Sequence, residues 1–340
     1  FQDLQRLHGE YDARSTQLIS YVRSDRRFSS FLKVGGLGIG EGSEISESSK
    51  GLLDIILKIT SQLLKQKSPV NEIAENGQKI TEEFNKFNVA LTNTINNTPD
   101  VNLKTYYILQ RDSIISSLTT FISGFQNFIK NSSNNLLRTQ AGIYASNLLL
   151  SFSYLDTSSS IIKTLNSLRP ILADNCVQFL PANTKTLIEL LSLINSKAAE
   201  LPQSAREIFL ALFPTAISSI RESSTVFSSN PDPNNPKNIG NCIHENDKLQ
   251  SLLYAIYESI NVQGLPADLQ GAVQLLLIFS YNIKYSSESL RLAIQIYFTH
   301  LMKAFYSQIN PYVEFFTNQA SKQSEQSYKD YIALKDRIFN

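Results

Sequence analysis

The chain has 340 residues, with 31 basic side chains against 30 acidic ones and 42% hydrophobic residues. That length fits one large domain or two, with enough apolar material for a sizeable core. Balanced charge excludes the basic excess of a dedicated nucleic-acid binder and the acidic excess of a disordered, solvating chain. With 13 glycines and 11 prolines, the collagen-like and Pro-rich classes are excluded and a many-turned β protein is disfavoured.

The chain opens on Phe1 and holds a single methionine, Met302. No charged stretch followed by an apolar one begins it, so the expectation is a mature chain whose signal peptide has been removed. Arg23, Asp25, Arg26, Arg27 and Lys33 are interleaved with Tyr21, Phe28 and Phe31. This short, mixed cluster reads as a solvated helix end rather than as an anion or membrane dock. Residues 35–42 hold five glycines: Gly35, Gly36, Gly38, Gly40 and Gly42. No strand precedes them, the spacing is not G-x-G-x-x-G, and no Gly-Lys-Ser/Thr follows, so the segment reads as a flexible linker and not a phosphate cradle. A membrane-inserting tip at 31–39 ranks last among the readings, because the long apolar hairpin it needs is missing.

From residue 50 onward the apolar residues keep a 3.6-residue period. Leu52, Ile55, Ile56, Ile59, Leu63 and Leu64 form the first stripe, and Ile73, Ile80, Phe84, Phe87, Leu91 and Ile95 the next. Tyr107, Ile114, Leu118, Phe121, Phe125 and Phe128 follow, then Leu187, Leu190, Leu191, Ile194 and Ala198. Ile208, Phe209, Leu212, Phe213 and Ile217 make a fifth stripe, Leu249, Leu252, Leu253, Ile256 and Ile260 a sixth, and Leu290, Ile294, Tyr297, Leu301 and Phe305 a seventh. Such stripes suit helices that bury one face against neighbours. Pro69 and Pro99-Asp100 mark helix starts, where a missing N–H costs nothing. Pro181, Pro202, Pro266 and Pro311 are each placed near a further start, and Pro214 is expected to kink or break its helix. The segment 228–242 is rich in Pro and Asn and reads as a loop. The fold predicted is all-α, a large multi-helix bundle of roughly ten helices with short connections. It is expected to be a single helical body over 1–340, with a possible subdivision into 1–175 and 176–340. No apolar run approaches ~18 residues, so no membrane span is expected.

The two cysteines, Cys176 and Cys242, sit in Asn-flavoured surroundings that read as loops. An even pair in loops predicts one disulfide and an oxidising, extracellular compartment. Sequons at Asn96-Asn97-Thr98 and Asn131-Ser132-Ser133 make Asn96 and Asn131 glycosylation candidates, and the chain a candidate secreted glycoprotein.

Catalytic chemistry is poorly represented. His8, His244 and His300 show no metal-ligand spacing, no G-x-S-x-G occurs, and carboxylates such as Glu82, Glu83, Asp330 and Asp336 sit in charge-mixed helical faces. His244 reads as a solvated loop residue and His300 as a partly buried helix residue. The expectation is a non-enzyme without cofactor or metal.

Aromatic residues carry the remaining signal: 19 Phe, 15 Tyr and no Trp. Between Leu269 and Phe298 the only charged residues are Lys284, Glu288 and Arg291. Tyr281, Tyr285, Ile294, Tyr297, Phe298, Leu301, Phe305 and Phe316 are therefore the candidates to line an apolar ligand cavity, with tyrosine hydroxyls as polar handles. The functional expectation is a secreted, lipid-binding type of protein that holds an apolar small molecule in a helical bundle. The alternative is a secreted interaction or structural protein acting on a protein partner, or on its own copies, through its surface. Nucleic acid is not an expected partner. In composition the chain resembles secreted α-helical proteins of insects, of the haemolymph, saliva or silk gland, with no motif that assigns a role to any residue.

Overall fold

The computed structural model describes residues 44–66, 68–155, 159–229, 232–233, 235–260 and 264–320, with the side chains of 302–320 outside that description. Among the described residues there are eight α-helices and no strand. They are α1 (Glu44–Ser61), α2 (Val70–Asn97), α3 (Val101–Lys130), α4 (Asn135–Ser151), α5 (Ser159–Ser196), α6 (Gln203–Ser229), α7 (Pro236–Ile260) and α8 (Ala267–Ala320). The all-α expectation holds, with fewer and longer helices than anticipated. The basic cluster at 23–33 and the glycine segment 35–42 lie outside the described residues, as do His8, Asp330 and Asp336.

Two compact units are present, residues 39–293 and residues 1–38 with 294–340. The anticipated division between 175 and 176 falls within α5, and the two units divide instead near residues 38 and 294. In the unit 39–293, α1 packs on α2 and on α4, and α3 packs on α4. A second set forms from α5, α6 and α7, each touching the other two, and α5 also reaches α1.

Local chemistry places the helix ends. Asp100 caps α3, its carboxylate accepting the Leu103 N–H at 3.0 Å, and Asn134 caps α4 by accepting from Leu136 and Leu137. Pro69, Pro202 and Pro266 immediately precede α2, α6 and α8. Pro181 does not start a helix: it lies with Pro170 inside α5, and Pro214 lies inside an uninterrupted α6. Pro170 and Pro214 are exposed, so water can take the carbonyls that each proline leaves unbonded. Pro311 likewise falls within α8 rather than at its start.

Two arginines close helix ends that lack capping side chains. A π-helical turn, Gln62–Gln66, follows α1, and the Arg138 guanidinium donates to the carbonyls of Gln62 (2.8 Å), Leu63 (3.3 Å) and Ser68 (3.1 Å). Past α5, Arg206 donates in the same way to Ala198 (3.0 Å), Ala199 (2.8 Å) and Leu201 (3.0 Å). Each fork satisfies carbonyls that a helix end leaves without intrahelical partners. Burial of Arg138 lowers its pKa from the ordinary guanidinium value by desolvation.

The expected stripes are largely the buried ones. Leu52, Ile56, Ile59, Leu63, Ile73, Ile80, Phe87, Leu91, Ile114, Phe121 and Phe128 are all within the core. The α6 stripe faces the expected way but is narrower: Ile208, at its edge, is 47% exposed, and the buried positions are Ala205, Phe209, Ala216, Ile220 and Phe227.

Candidate functional site

The most unusual interior lies around the first half of α8. From Phe279 to Leu290 no position is fully exposed, and the half-buried ones, Tyr281, Lys284, Tyr285 and Glu288, share one face of the helix. The rest of its circumference is buried, and a buried helix face is ordinarily apolar. Here Ser280, Asn282, Ser286, Ser287 and Ser289 are buried instead. Burial of a hydroxyl or amide is tolerable only when it is hydrogen-bonded. The partners come from three helices. Asn282 donates to the Leu136 carbonyl of α4 at 3.0 Å, and Ser289 donates to Asn147 of α4 at 2.9 Å. Ser286 accepts from Asn175 of α5 at 3.0 Å. Ser287 donates to Asp247 of α7 at 3.2 Å, and Asp247 also pairs with Arg291 at 2.8 Å. The Asp247–Arg291 pair is 45% exposed on both sides, so it closes the seam at the surface and adds little stability.

The disulfide sits beside this seam. Cys176 and Cys242 are bonded, with Cα atoms 6.3 Å apart, and both are fully buried. The loop expectation for them is wrong: Cys176 lies inside α5 and Cys242 inside α7. Helix α6 ends at Ser229 and α7 starts at Pro236, so the loop read as 228–242 is much shorter. Asn and Cys have poor helix propensity, and tertiary packing overrides it here. The Asn246 amide, one turn beyond Cys242, points its N–H groups at both sulfurs, 3.5 and 3.6 Å away. Two buried amide oxygens in the seam, Oδ1 of Asn246 and Oδ1 of Asn282, accept no hydrogen bond. An unpaired buried acceptor costs about 1–3 kcal/mol.

A tyrosine group borders the seam. Tyr281 packs edge-on against Tyr144 of α4, centroids 5.7 Å apart, and stacks on Tyr285 at 4.2 Å. The Tyr281 and Tyr144 side chains share a hydrogen bond, and the Tyr281 phenol is pushed well above its usual pKa, first by burial and then by that bond. Lys284 lies 5.3 Å over the Tyr285 ring, a cation–π contact.

Of the eight cavity candidates, Tyr281 and Tyr285 belong to the unit 39–293 and the other six to the other unit. The structure brings Tyr281 and Tyr285 into contact with each other. Tyr297 and Phe298 are ring neighbours at 5.8 Å, and Phe298 is 46% exposed. Ile294 and Leu301 are half-buried, and the side chains of Phe305 and Phe316 fall outside the described residues. His300 is buried and His244 is exposed, the latter on α7 rather than in a loop. Asn96 and Asn131 are both exposed. Among the described residues no group of His, Cys, Asp and Glu is arranged to hold a metal, and no helix is long and apolar enough to cross a membrane.

Sequence reasoning missed Tyr144, Asn147, Asn175, Asn246, Asp247 and the α8 serines. The signal was present in the low charge between Leu269 and Phe298, which marks a largely buried helix whether its small residues are apolar or polar. No known protein family, curated protein or solved structure matches this chain.

Proposed function

We propose that this protein is an extracellular, non-enzymatic binding protein that holds an apolar, lipid-like small molecule between its helices. The observation that carries the reading is the Tyr144–Tyr281–Tyr285 group, half-buried where α4 meets α8. Rings give such a ligand an apolar wall, while phenols give it polar anchors. The disulfide between two buried helix positions supports an oxidising compartment.

Native mass spectrometry of the protein purified from its source, followed by organic extraction, tests this. The expected result is a retained small molecule that is extractable into organic solvent and lost in the Tyr281→Ala variant. A ligand-free mass at every preparation overturns it.

A second reading rests on Val101, Leu109, Ile115 and Ile122 of α3, exposed by 74, 59, 38 and 37%. Apolar side chains left in water along one helix suit self-association. A ligand-free, stable oligomer in the same spectrum favours this reading.

A further inference from the structure

We propose that Asn131 is a site of N-linked glycosylation and that the other sequon, at Asn96, is a poor acceptor. The inference rests on the extracellular reading above. It departs from the sequence, where the two motifs are equivalent.

N-glycosylation joins the side-chain nitrogen of the sequon asparagine to C1 of a sugar. The C1–O bond of a lipid-pyrophosphate-linked oligosaccharide breaks, the amide nitrogen gives up a proton, and the lipid pyrophosphate leaves. The enzyme needs the asparagine and the hydroxyl two residues on to come together on one accessible, turned stretch of backbone.

Asn131, Ser132 and Ser133 supply that stretch. They form the turn between α3 and α4, all three are exposed, and the turn is closed by the Asn134 N–H donating to the Asn131 carbonyl at 2.9 Å. Asn131 is the residue that ends α3, with φ −129° and ψ 55°, and its amide nitrogen donates to the Asn127 carbonyl at 3.3 Å, a long and exposed bond that water can replace when the transferase engages the side chain. A glycan here projects from the exposed end of the α3–α4 hairpin.

Asn96 has a different setting. It lies inside the last turn of α2, one residue before the helix ends at Asn97. Thr98, whose hydroxyl the reaction needs, donates that hydroxyl to the Thr94 carbonyl at 2.6 Å. Pro99 follows directly and holds Thr98 in extended backbone, φ −86° and ψ 114°. That restriction acts in the unfolded chain too, so it opposes the turn whether transfer precedes or follows folding.

The test expresses the full chain behind a secretory leader in eukaryotic cells, as wild type, Asn131→Gln, Ser133→Ala and Asn96→Gln. Intact mass is read before and after peptide-N-glycosidase, and a peptide map locates the aspartate that the glycosidase leaves. The expected result is a glycan on wild type and on Asn96→Gln, and its complete loss from both Asn131→Gln and Ser133→Ala. Ser133→Ala keeps the asparagine that ends α3, so a folding defect in Asn131→Gln does not obscure the outcome. An unmodified wild type, or a glycan confined to Asn96, overturns the proposal. Because the leader imposes the compartment, this failure is separate from that of the extracellular reading, which fails if Cys176 and Cys242 are free thiols in the native source.

Discussion

Gly124 of α3 stands face to face with Tyr144 of α4: a Cβ built on the glycine would lie 2.4 Å from Cδ2 of the tyrosine ring. The absent side chain is what lets the Cδ2–Cε2 edge of the ring press against α3 while the same ring meets Tyr281. Gly77 against Phe125 and Gly142 against Leu64 repeat the device at two other helix contacts.

Gly124→Ala therefore destabilises the fold although alanine is the better helix former. Propensity favours the change by about 1 kcal/mol, but overpacking a filled contact costs about 1–3 kcal/mol. Chemical denaturation should show a net loss and a change in tyrosine fluorescence. Gly240→Ala and Gly271→Ala are the controls, since a Cβ at either meets nothing within 4 Å. Both sit inside helices, and both should stabilise by about 0.5–1 kcal/mol. Equal effects at all three positions would show that the ring contact is unimportant.

The disulfide should behave as a buried structural bond. Cys176 and Cys242 are fully buried and 66 positions apart, and a loop of that length is worth about 4 kcal/mol in the chain-entropy account. Cys176→Ser with Cys242→Ser should lower stability by about that amount. In the wild type, a water-soluble phosphine should reduce the bond only when denaturant is present, as read by thiol labelling. Rapid reduction of the native protein would contradict the burial.

Arg138→Met should destabilise by about 1–3 kcal/mol, because three carbonyls around the π-turn lose their donor. The guanidinium also lies 5.8 Å over the Phe128 ring, so the loss sums the hydrogen bonds and a weak cation–π contact. Hydrogen exchange should speed up first across residues 62–66. A uniform acceleration over the whole unit would instead indicate a general loss of stability.

Alkaline pH should weaken the fold through Tyr106. Its hydroxyl donates to the Tyr154 carbonyl, and its pKa is pushed well above 10, first by burial and second by the neighbouring Tyr107. A raised pKa in the folded state means that the folded protein holds its proton more tightly. The stabilisation is complete below the unfolded value near 10 and is lost as pH climbs from there toward the folded value. Each such tyrosine removes up to about 1.4 kcal/mol per pH unit in that window. Denaturation midpoints measured from pH 8 to 12 should fall only above about 10, and Tyr106→Phe should flatten the fall.

Period and composition determined a great deal alone. The 3.6-residue stripes of α1 to α3 place Leu52, Ile59, Ile80, Phe87, Ile114 and Phe121 in the core, as found, because a long helix can bury only one face and its period announces which. The cysteine pair was legible from its even count, though its setting was not. Asn175 and Asn241 beside the cysteines look like loop residues locally, and only packing against neighbouring helices makes helix the cheaper state for them. The polar seam was beyond the sequence for a related reason. Serine and asparagine are equally at home in water or in a satisfied interior, so their placement depends on partners more than a hundred positions away, such as Asn175 for Ser286 and Asn147 for Ser289. Which glycines are indispensable was settled in the same way, since only the opposing ring, Tyr144 or Phe125, distinguishes Gly124 and Gly77 from Gly240 and Gly271.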